Sequence, residues 1–68
     1  MARLIAGTVI LFSEEKGFGF IIPDDGSQDL FVDRGCINGT GILHGGDKVS
    51  FTIGQSNKGP LAQNVSWI

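Results

Sequence analysis

The sequence is poor in the residues that cross-link a small protein or hold a metal ion. It has one cysteine, Cys36, so no disulfide can form within the chain, and one histidine, His44. These two side chains cannot supply the four ligands of a structural zinc site. We therefore expect no metal, no cofactor, a fold that depends on its apolar core alone, and a reducing cytoplasm as the compartment.

Basic residues and long apolar runs are also scarce. Five lysines and arginines stand against seven aspartates and glutamates, which gives a net charge of −2. This balance argues against phosphate-driven binding to duplex nucleic acid, but not against a binding mode dominated by base stacking. No apolar stretch approaches the length of a membrane span, so we expect no membrane partner. Because the sequence has no paired acid and base and no nucleophile–histidine arrangement, we expect that it is not an enzyme.

Glycine is the residue that the sequence has in excess, at 11 of 68. Helix interiors disfavour glycine, whereas turns and bulges use it. Apolar runs between turn residues predict strands over 4–12, 18–22, 29–33, 48–53 and 61–68, with an irregular loop at 34–47 and a turn at 54–60. Because closure removes exposed strand edges, we predict a single all-β domain over residues 1–68, a small five-stranded antiparallel barrel.

The second predicted strand places two phenylalanines on one face. Side chains alternate across a strand, so Phe18 and Phe20 point to one side and Ile21 points to the other. The next six residues, Pro-Asp-Asp-Gly-Ser-Gln, have strong turn preferences and pair this strand antiparallel with the third.

The third predicted strand decides which face is exposed. Phe31 lies between Asp29 and Asp33 on a face that the two aspartates place in water, while Leu30 and Val32 enter the core. Strand phenylalanines usually belong to a core, but that alternative would send Val32 outward and Asp33 inward, a worse partition. Phe31 is therefore expected beside the two phenylalanines of the second strand.

Three exposed phenylalanines form the kind of apolar patch that marks a binding site. Lys16 supplies a cation at the rim of this patch. Each unpaired base that stacks on an aromatic side chain contributes about 1–3 kcal/mol, and every base has a π-face. The sequence therefore predicts a protein that binds single-stranded nucleic acid.

The motifs around these residues resemble a known family. Lys16-Gly-Phe-Gly-Phe-Ile21 is similar to the first ribonucleoprotein-type motif and Asp29-Leu-Phe-Val32 to the second. Their order across a hairpin, the chain length and flanking residues such as Lys58-Gly59-Pro60 resemble the bacterial cold-shock proteins, over roughly residues 5–66. The resemblance implies an OB-type barrel that binds single-stranded, pyrimidine-rich RNA or DNA without catalysis or cofactor. It also implies an RNA chaperone, transcription antiterminator or translation regulator.

The resemblance also assigns roles in nucleic-acid binding to individual positions. The matched residues are Lys16, Phe18, Phe20 and Phe31, with Phe12 in the first strand and Lys58 between the last two. Four positions depart from the family: its tryptophan is replaced by Leu11, its lysine by Ile10, its histidine by Asp33 and a stacking phenylalanine by Arg34. A guanidinium plane can still stack on a base. The usual aromatic of the long loop is absent, with Ile42 nearest to its position.

These departures predict weaker binding, or a shorter footprint, than is typical of the family. Each lost stacking position removes about 1–3 kcal/mol, and Asp33 repels phosphates, although salt partly screens it. The alternative is a divergent relative that acts through protein contacts or dimerisation at Ile10, Leu11 and Ile42, with little nucleic-acid binding. We expect a monomer, with a strand-exchanged dimer as the alternative. Glu14 and Glu15 are interpreted as part of a solvated turn.

Overall fold

The computed structural model describes residues 3–39, 42–57 and 59–68, and these form a closed five-stranded barrel. The strands are β1 (Ile5–Ser13), β2 (Phe18–Pro23), β3 (Leu30–Asp33), β4 (Lys48–Ser56) and β5 (Gly59–Trp67). A single 3₁₀ turn, Arg34–Cys36, follows β3 directly. The predicted all-β, five-stranded OB-type barrel is confirmed. Within the described ranges, no helix is long and apolar enough to cross a membrane.

The barrel is antiparallel except at one seam. Its strands follow the order β1-β2-β3-β5-β4, and β4 closes onto β1. β3 and β5 pair in parallel, Phe31 with Leu61 and Val32 with Ala62. The predicted antiparallel barrel is therefore confirmed apart from this one parallel pair. A parallel pair needs a long crossover connection, and the segment that contains β4 provides it.

The turn predicted at 54–60 is much shorter than expected. β4 continues to Ser56 and β5 already begins at Gly59, so the two strands extend into the predicted turn. Pro60 is tolerated because it lies at the start of β5, where a missing backbone donor is least harmful. Gly54 is also part of β4, and an added Cβ there would lie 2.6 Å from Nε2 of Gln63. Glycine at this point makes room for a neighbouring side chain and does not form a turn.

Described residues of the loop predicted at 34–47 contact β5 of the barrel. After the 3₁₀ turn, an isolated bridge joins Ile37 to Val65 of β5. Further along, the carboxylate of Asp47 accepts hydrogen bonds from the backbone N–H of His44 at 3.0 Å and from Nε1–H of Trp67 at 3.1 Å. These two hydrogen bonds hold the pKa of Asp47 below its ordinary value, and the one from the His44 N–H has the larger effect. The described residues on both sides of positions 40–41 are therefore held by contacts with β5.

The core draws buried side chains from every strand and from the 42–47 loop. Burial of Leu30 and Val32, with Phe31 on the opposite face, confirms the predicted orientation of β3. The core cluster comprises Val9, Ile21, Leu30, Val32, Leu43, Val49, Phe51, Ala62 and Val65. Cys36 packs against its edge, half-buried, as expected of a small apolar residue.

β1 contains a bulge that simple alternation does not predict. Val9 pairs with Ile21 and Leu11 pairs with Phe20, which leaves Ile10 as an extra residue on β1. Both Ile10 and Leu11 are consequently exposed, at 42% and 51%. The bulge brings Leu11 to the same face as Phe20.

A second bulge lies in β5 and involves a left-handed residue. Ser50 pairs with Ser66 and Thr52 with Gln63, so two residues of β5 lie opposite one residue of β4. One of the two is Asn64, which has φ +53°. Its Nδ2 donates a hydrogen bond to Oγ1 of Thr52 at 3.2 Å. Asparagine tolerates this conformation better than most residues do.

Substitutions at Asn64 should separate backbone strain from the loss of this hydrogen bond. Asn64→Gly should lower the free energy of unfolding by about 1 kcal/mol, because it removes only the hydrogen bond. Asn64→Ala should lower it by about 2 kcal/mol or more, because alanine also resists a positive φ. Urea unfolding followed by the fluorescence of Trp67 measures both values. Equal losses in the two variants would contradict the role of the left-handed backbone.

Candidate nucleic-acid interface

Three phenylalanine rings cluster on the outer face of β2 and β3, and we call Phe18, Phe20 and Phe31 the platform. Phe20 lies opposite Phe31 in the strand register. The Phe18 and Phe31 rings stack with centroids 5.4 Å apart and planes at 26°, while Phe20 meets them edge-on at 6.4 and 6.1 Å. Phe20 is exposed, and the other two are half-buried. The predicted grouping of these rings is confirmed, and their mutual contacts hold them in place.

The predicted site residues next to the platform come from two strands and one turn. Leu11 lies opposite Phe20 on β1, and Asp33 lies opposite Phe18 on β3. Lys16 and Asp33 line the same shallow depression beside Phe18, which Ser56 and Asn57 also line. The structure therefore brings Lys16, Leu11 and Asp33 together with the platform.

One predicted site residue, Phe12, lies away from the platform. Phe12 pairs with Gly19, so both belong to the inner face, and its half-buried ring packs against the core. The reason is alternation: Phe12 is one residue beyond Leu11, which is on the outer face. Lys58 lies outside the described residues.

Gly19 has a structural role that the motif alone does not reveal. An added Cβ at Gly19 would lie 2.6 Å from Cα of Phe12 and closer still to the carbonyl oxygen of Leu11. The backbones of β1 and β2 therefore approach too closely for any other residue. This approach fixes the positions of Phe18 and Phe20 relative to β1.

Arg34 is anchored to the turn between β1 and β2. Its guanidinium donates a hydrogen bond to the carbonyl oxygen of Glu14, and its backbone N–H donates to the carbonyl of Gly17 at 2.9 Å. Gly17 has φ +78°, and a Cβ there would lie 3.4 Å from Nη2 of Arg34. The guanidinium therefore covers Gly17. The sequence predicts that Arg34 can stack on a base, but it does not predict that the guanidinium is bound to the Glu14 carbonyl.

A cleft of about 710 Å³ opens beside Arg34, and we call it the side cleft. It lies between the 12–15 segment and the residues that follow the 3₁₀ turn. Its lining has three apolar side chains, three charged side chains and one glycine: Phe12, Ile37, Ile42, Glu14, Glu15, Arg34 and Gly39. Sequence reasoning missed this cleft because its two sides come from segments about 20 residues apart in the chain.

The comparison with protein families agrees with this geometry. A family model described as the 'Cold-shock' DNA-binding domain matches residues 5–68. The chain belongs to the cold-shock domain family. Its activity is nucleic-acid binding of the cold-shock type, which fits an exposed aromatic cluster on a small barrel.

Individual cold-shock proteins are similar to this chain over most of its length. Probable cold shock protein A of Mycolicibacterium smegmatis is 53% identical over 64 residues, which cover 91% of this chain and 96% of the relative. The protein of the same name from Mycobacterium tuberculosis is 56% identical over 61 residues, 87% of this chain and 91% of the relative. Cold shock-like protein CspC of Escherichia coli is 50% identical over 66 residues, which cover 94% of this chain and 96% of the relative. The similarity thus includes both the platform and the rest of the barrel.

Proposed function

We propose that this cold-shock domain binds single-stranded RNA or DNA by stacking unpaired bases on the platform. The grouping of Phe18, Phe20 and Phe31 on a solvated face supports this most directly, because an apolar cluster in water is unfavourable without a ligand. Stacking contributes in spite of the net charge of −2, because it does not depend on phosphate contacts.

The proposed binding is weak for a cold-shock domain and depends little on salt. Arg34 is anchored to Glu14, and Lys48 forms an ion pair with Asp24 at 2.7 Å. Lys16 therefore provides the cation at the platform's rim within the described ranges. With about two or three phosphate contacts, the logarithm of affinity should fall by roughly 0.7 per contact for each tenfold rise in salt.

In the cell, the proposed role is to keep transcripts unstructured as an RNA chaperone, and to act in antitermination or translation control. Pyrimidine-rich single strands are the proposed targets. The single half-buried cysteine is compatible with a reducing compartment, and we place the protein in the cytoplasm as a monomer.

A chemical-shift titration with short oligo-U and oligo-T tests this proposal. The expected result is saturable shifts at the amides around the platform, with no response to duplex of the same length. Absence of binding at millimolar protein in low salt would refute the proposal. The same titration gives the footprint along β2 and β3.

The alternative function, through protein contacts or dimerisation, has some support from exposed aliphatic side chains. Ile10 and Leu11 are 42% and 51% exposed, and Ile42 is 39% exposed. Analytical ultracentrifugation distinguishes the two proposals. A stable dimer that persists when oligo-U fails to bind would favour the alternative, whereas a monomer that binds oligo-U would exclude it as the main activity.

Restoring two aromatic positions should strengthen binding. Leu11 lies opposite Phe20 and Asp33 lies opposite Phe18, so Leu11→Trp with Asp33→His should add stacking surface at both ends of the platform. The affinity for oligo-U should rise about fivefold or more, by tryptophan quenching at about pH 8, where histidine is neutral.

The control for this prediction is Asp33→Asn alone, which removes the charge without adding a ring. If Asp33→Asn raises the affinity for oligo-U less than the double variant does, the remaining gain in affinity is due to stacking. If the double variant binds no more tightly than the original chain, the weak affinity does not arise from Leu11 and Asp33.

A further inference from the structure

We infer that Arg34 is a positioning residue for nucleic-acid binding: its guanidinium holds the turn between β1 and β2 so that Lys16 stands at the rim of the platform. The inference rests on the proposed function and adds to it a residue that acts without touching the ligand. The sequence predicts a different role for Arg34, which is stacking on a base. The contacts of the guanidinium favour positioning over stacking.

Arg34 binds the turn at two points, one on each side of Lys16. Its backbone N–H donates a hydrogen bond to the carbonyl of Gly17 at 2.9 Å, which continues the pairing of β2 with β3 by one residue. Its guanidinium donates a hydrogen bond to the carbonyl of Glu14. Only the second bond depends on the side chain. A substitution at position 34 therefore releases the Glu14 side of the turn and leaves the Gly17 side attached.

The plane of the guanidinium lies on Gly17. An added Cβ at Gly17 would lie 3.4, 3.5 and 3.7 Å from Nη2, Cζ and Nε of Arg34, which are three atoms of one plane at nearly equal distances. Gly17 is buried, whereas residues 14–16 are exposed. One face of the guanidinium is thus covered by the protein, and Nη2 is bound to the turn. The group serves the fold of the turn first.

Lys16 has to be held because Asp33 competes with phosphate for its charge. Both side chains line the same shallow depression beside Phe18. Among the described residues, Lys16 forms no ion pair with Asp33. A lysine free to follow the neighbouring carboxylate would be neutralised by it, and the bound strand would lose a phosphate contact. Anchoring the backbone on both sides of Lys16 limits this movement.

A double-mutant cycle between Arg34 and Lys16 tests the inference. Arg34→Met keeps an unbranched side chain but has no donor, so it should weaken binding to oligo-U about threefold, the size of one exposed charge contact. It should also make the slope of log affinity against log salt less steep by up to roughly 0.7. In the Lys16→Ala variant, the same change at Arg34 should alter neither quantity. Equal losses in both backgrounds would show that Arg34 itself contacts a base or a phosphate, and would overturn the inference.

Three control variants separate anchorage from charge. Glu14→Ala keeps the backbone carbonyl that accepts the hydrogen bond, so it should not weaken binding. Arg34→Lys keeps the charge but lacks the planar group that covers Gly17, so it should bind nearly as weakly as Arg34→Met. Arg3→Met removes an exposed charge before the start of β1 and should change affinity by less than about 1.5-fold. Full affinity in Arg34→Lys, or a large loss in Glu14→Ala, would show that charge and not anchorage is responsible.

The mobility of the turn tests the anchorage without a ligand. The heteronuclear NOE of the Lys16 and Gly17 amides should fall in Arg34→Met, while the amides of β4 stay unchanged. Arg34 is exposed, so the variant should stay folded, which urea unfolding followed by Trp67 fluorescence checks. If Arg34→Met does not fold, Arg34→Lys takes its place in both measurements.

The outcomes distinguish this inference from the proposed function. If the turn keeps its NOE values in the folded variant, or loosens while oligo-U binds as tightly as before, Arg34 is not a positioning residue and the proposed function stands. If the original chain does not bind oligo-U at all, both are wrong. A looser turn, weaker binding and no further loss in the Lys16→Ala background together support the inference.

Discussion

Replacing Phe20 by alanine should weaken binding to oligo-U by roughly fivefold to 150-fold. This range corresponds to the loss of one stacked base, about 1–3 kcal/mol. Phe20 is the most exposed ring of the platform, with centroids 6.1 and 6.4 Å from its two neighbours, so it is available for a base and contributes least to packing. The change in affinity is measured by isothermal titration calorimetry or by the chemical-shift titration.

Two further variants separate aromatic stacking from general apolar contact. Phe20→Leu keeps an apolar side chain but has no π-face, so it should bind nearly as weakly as Phe20→Ala. Ile53→Ala is the matched control, because Ile53 is 49% exposed on β4, a strand that does not pair with β2 or β3. Full affinity in Phe20→Leu would show that stacking is not the mechanism, and full affinity in Phe20→Ala would show that the platform is not the site.

Replacing Gly19 by alanine should destabilise the barrel by about 3 kcal/mol or more. An added Cβ would overlap the backbone of Leu11 and Phe12, and backbone atoms cannot move aside as the end of a flexible side chain does. A domain of this size has a total stability of about 3–10 kcal/mol, so the variant should be largely or wholly unfolded at room temperature. Urea unfolding with Trp67 fluorescence and near-ultraviolet circular dichroism gives the result.

The control for this prediction is another glycine-to-alanine change. An added Cβ at Gly35 meets only the Asp33 carboxylate, at 3.8 Å, so Gly35→Ala should alter stability by less than about 0.5 kcal/mol. If Gly19→Ala unfolds at the same urea concentration as the original chain, β1 and β2 are not as close as the structure places them.

The face of each strand could be predicted where polar and apolar residues alternate. In β3, Asp33 and Val32 cannot exchange faces without burying a charge, and this fixes Phe31 on the outside. The same reasoning fails in β1, where Val9, Ile10 and Leu11 are all apolar. There the bulge decides which side chains are exposed, and nothing in three consecutive aliphatic residues indicates a bulge.

Turn residues gave weaker predictions than apolar alternation did. Pro60 is a common turn residue, but here it is the second residue of β5 and lies opposite Gln55 of β4. Similarly, Gly19 serves a close backbone contact and not a turn. The local preference of proline and glycine for turns cannot distinguish a turn from such a position in a strand. The atoms that decide between the two belong to the neighbouring strand.

The sequence by itself determined the all-β class, the number of strands, the outward orientation of the three phenylalanines and the scarcity of basic residues. Each of these follows from composition or from alternation within one strand. Only the tertiary structure decided the parallel seam between β3 and β5, the anchorage of Arg34 on Glu14 and the side cleft. These features depend on which distant segments meet, and that is set by barrel closure and not by any single stretch of the chain.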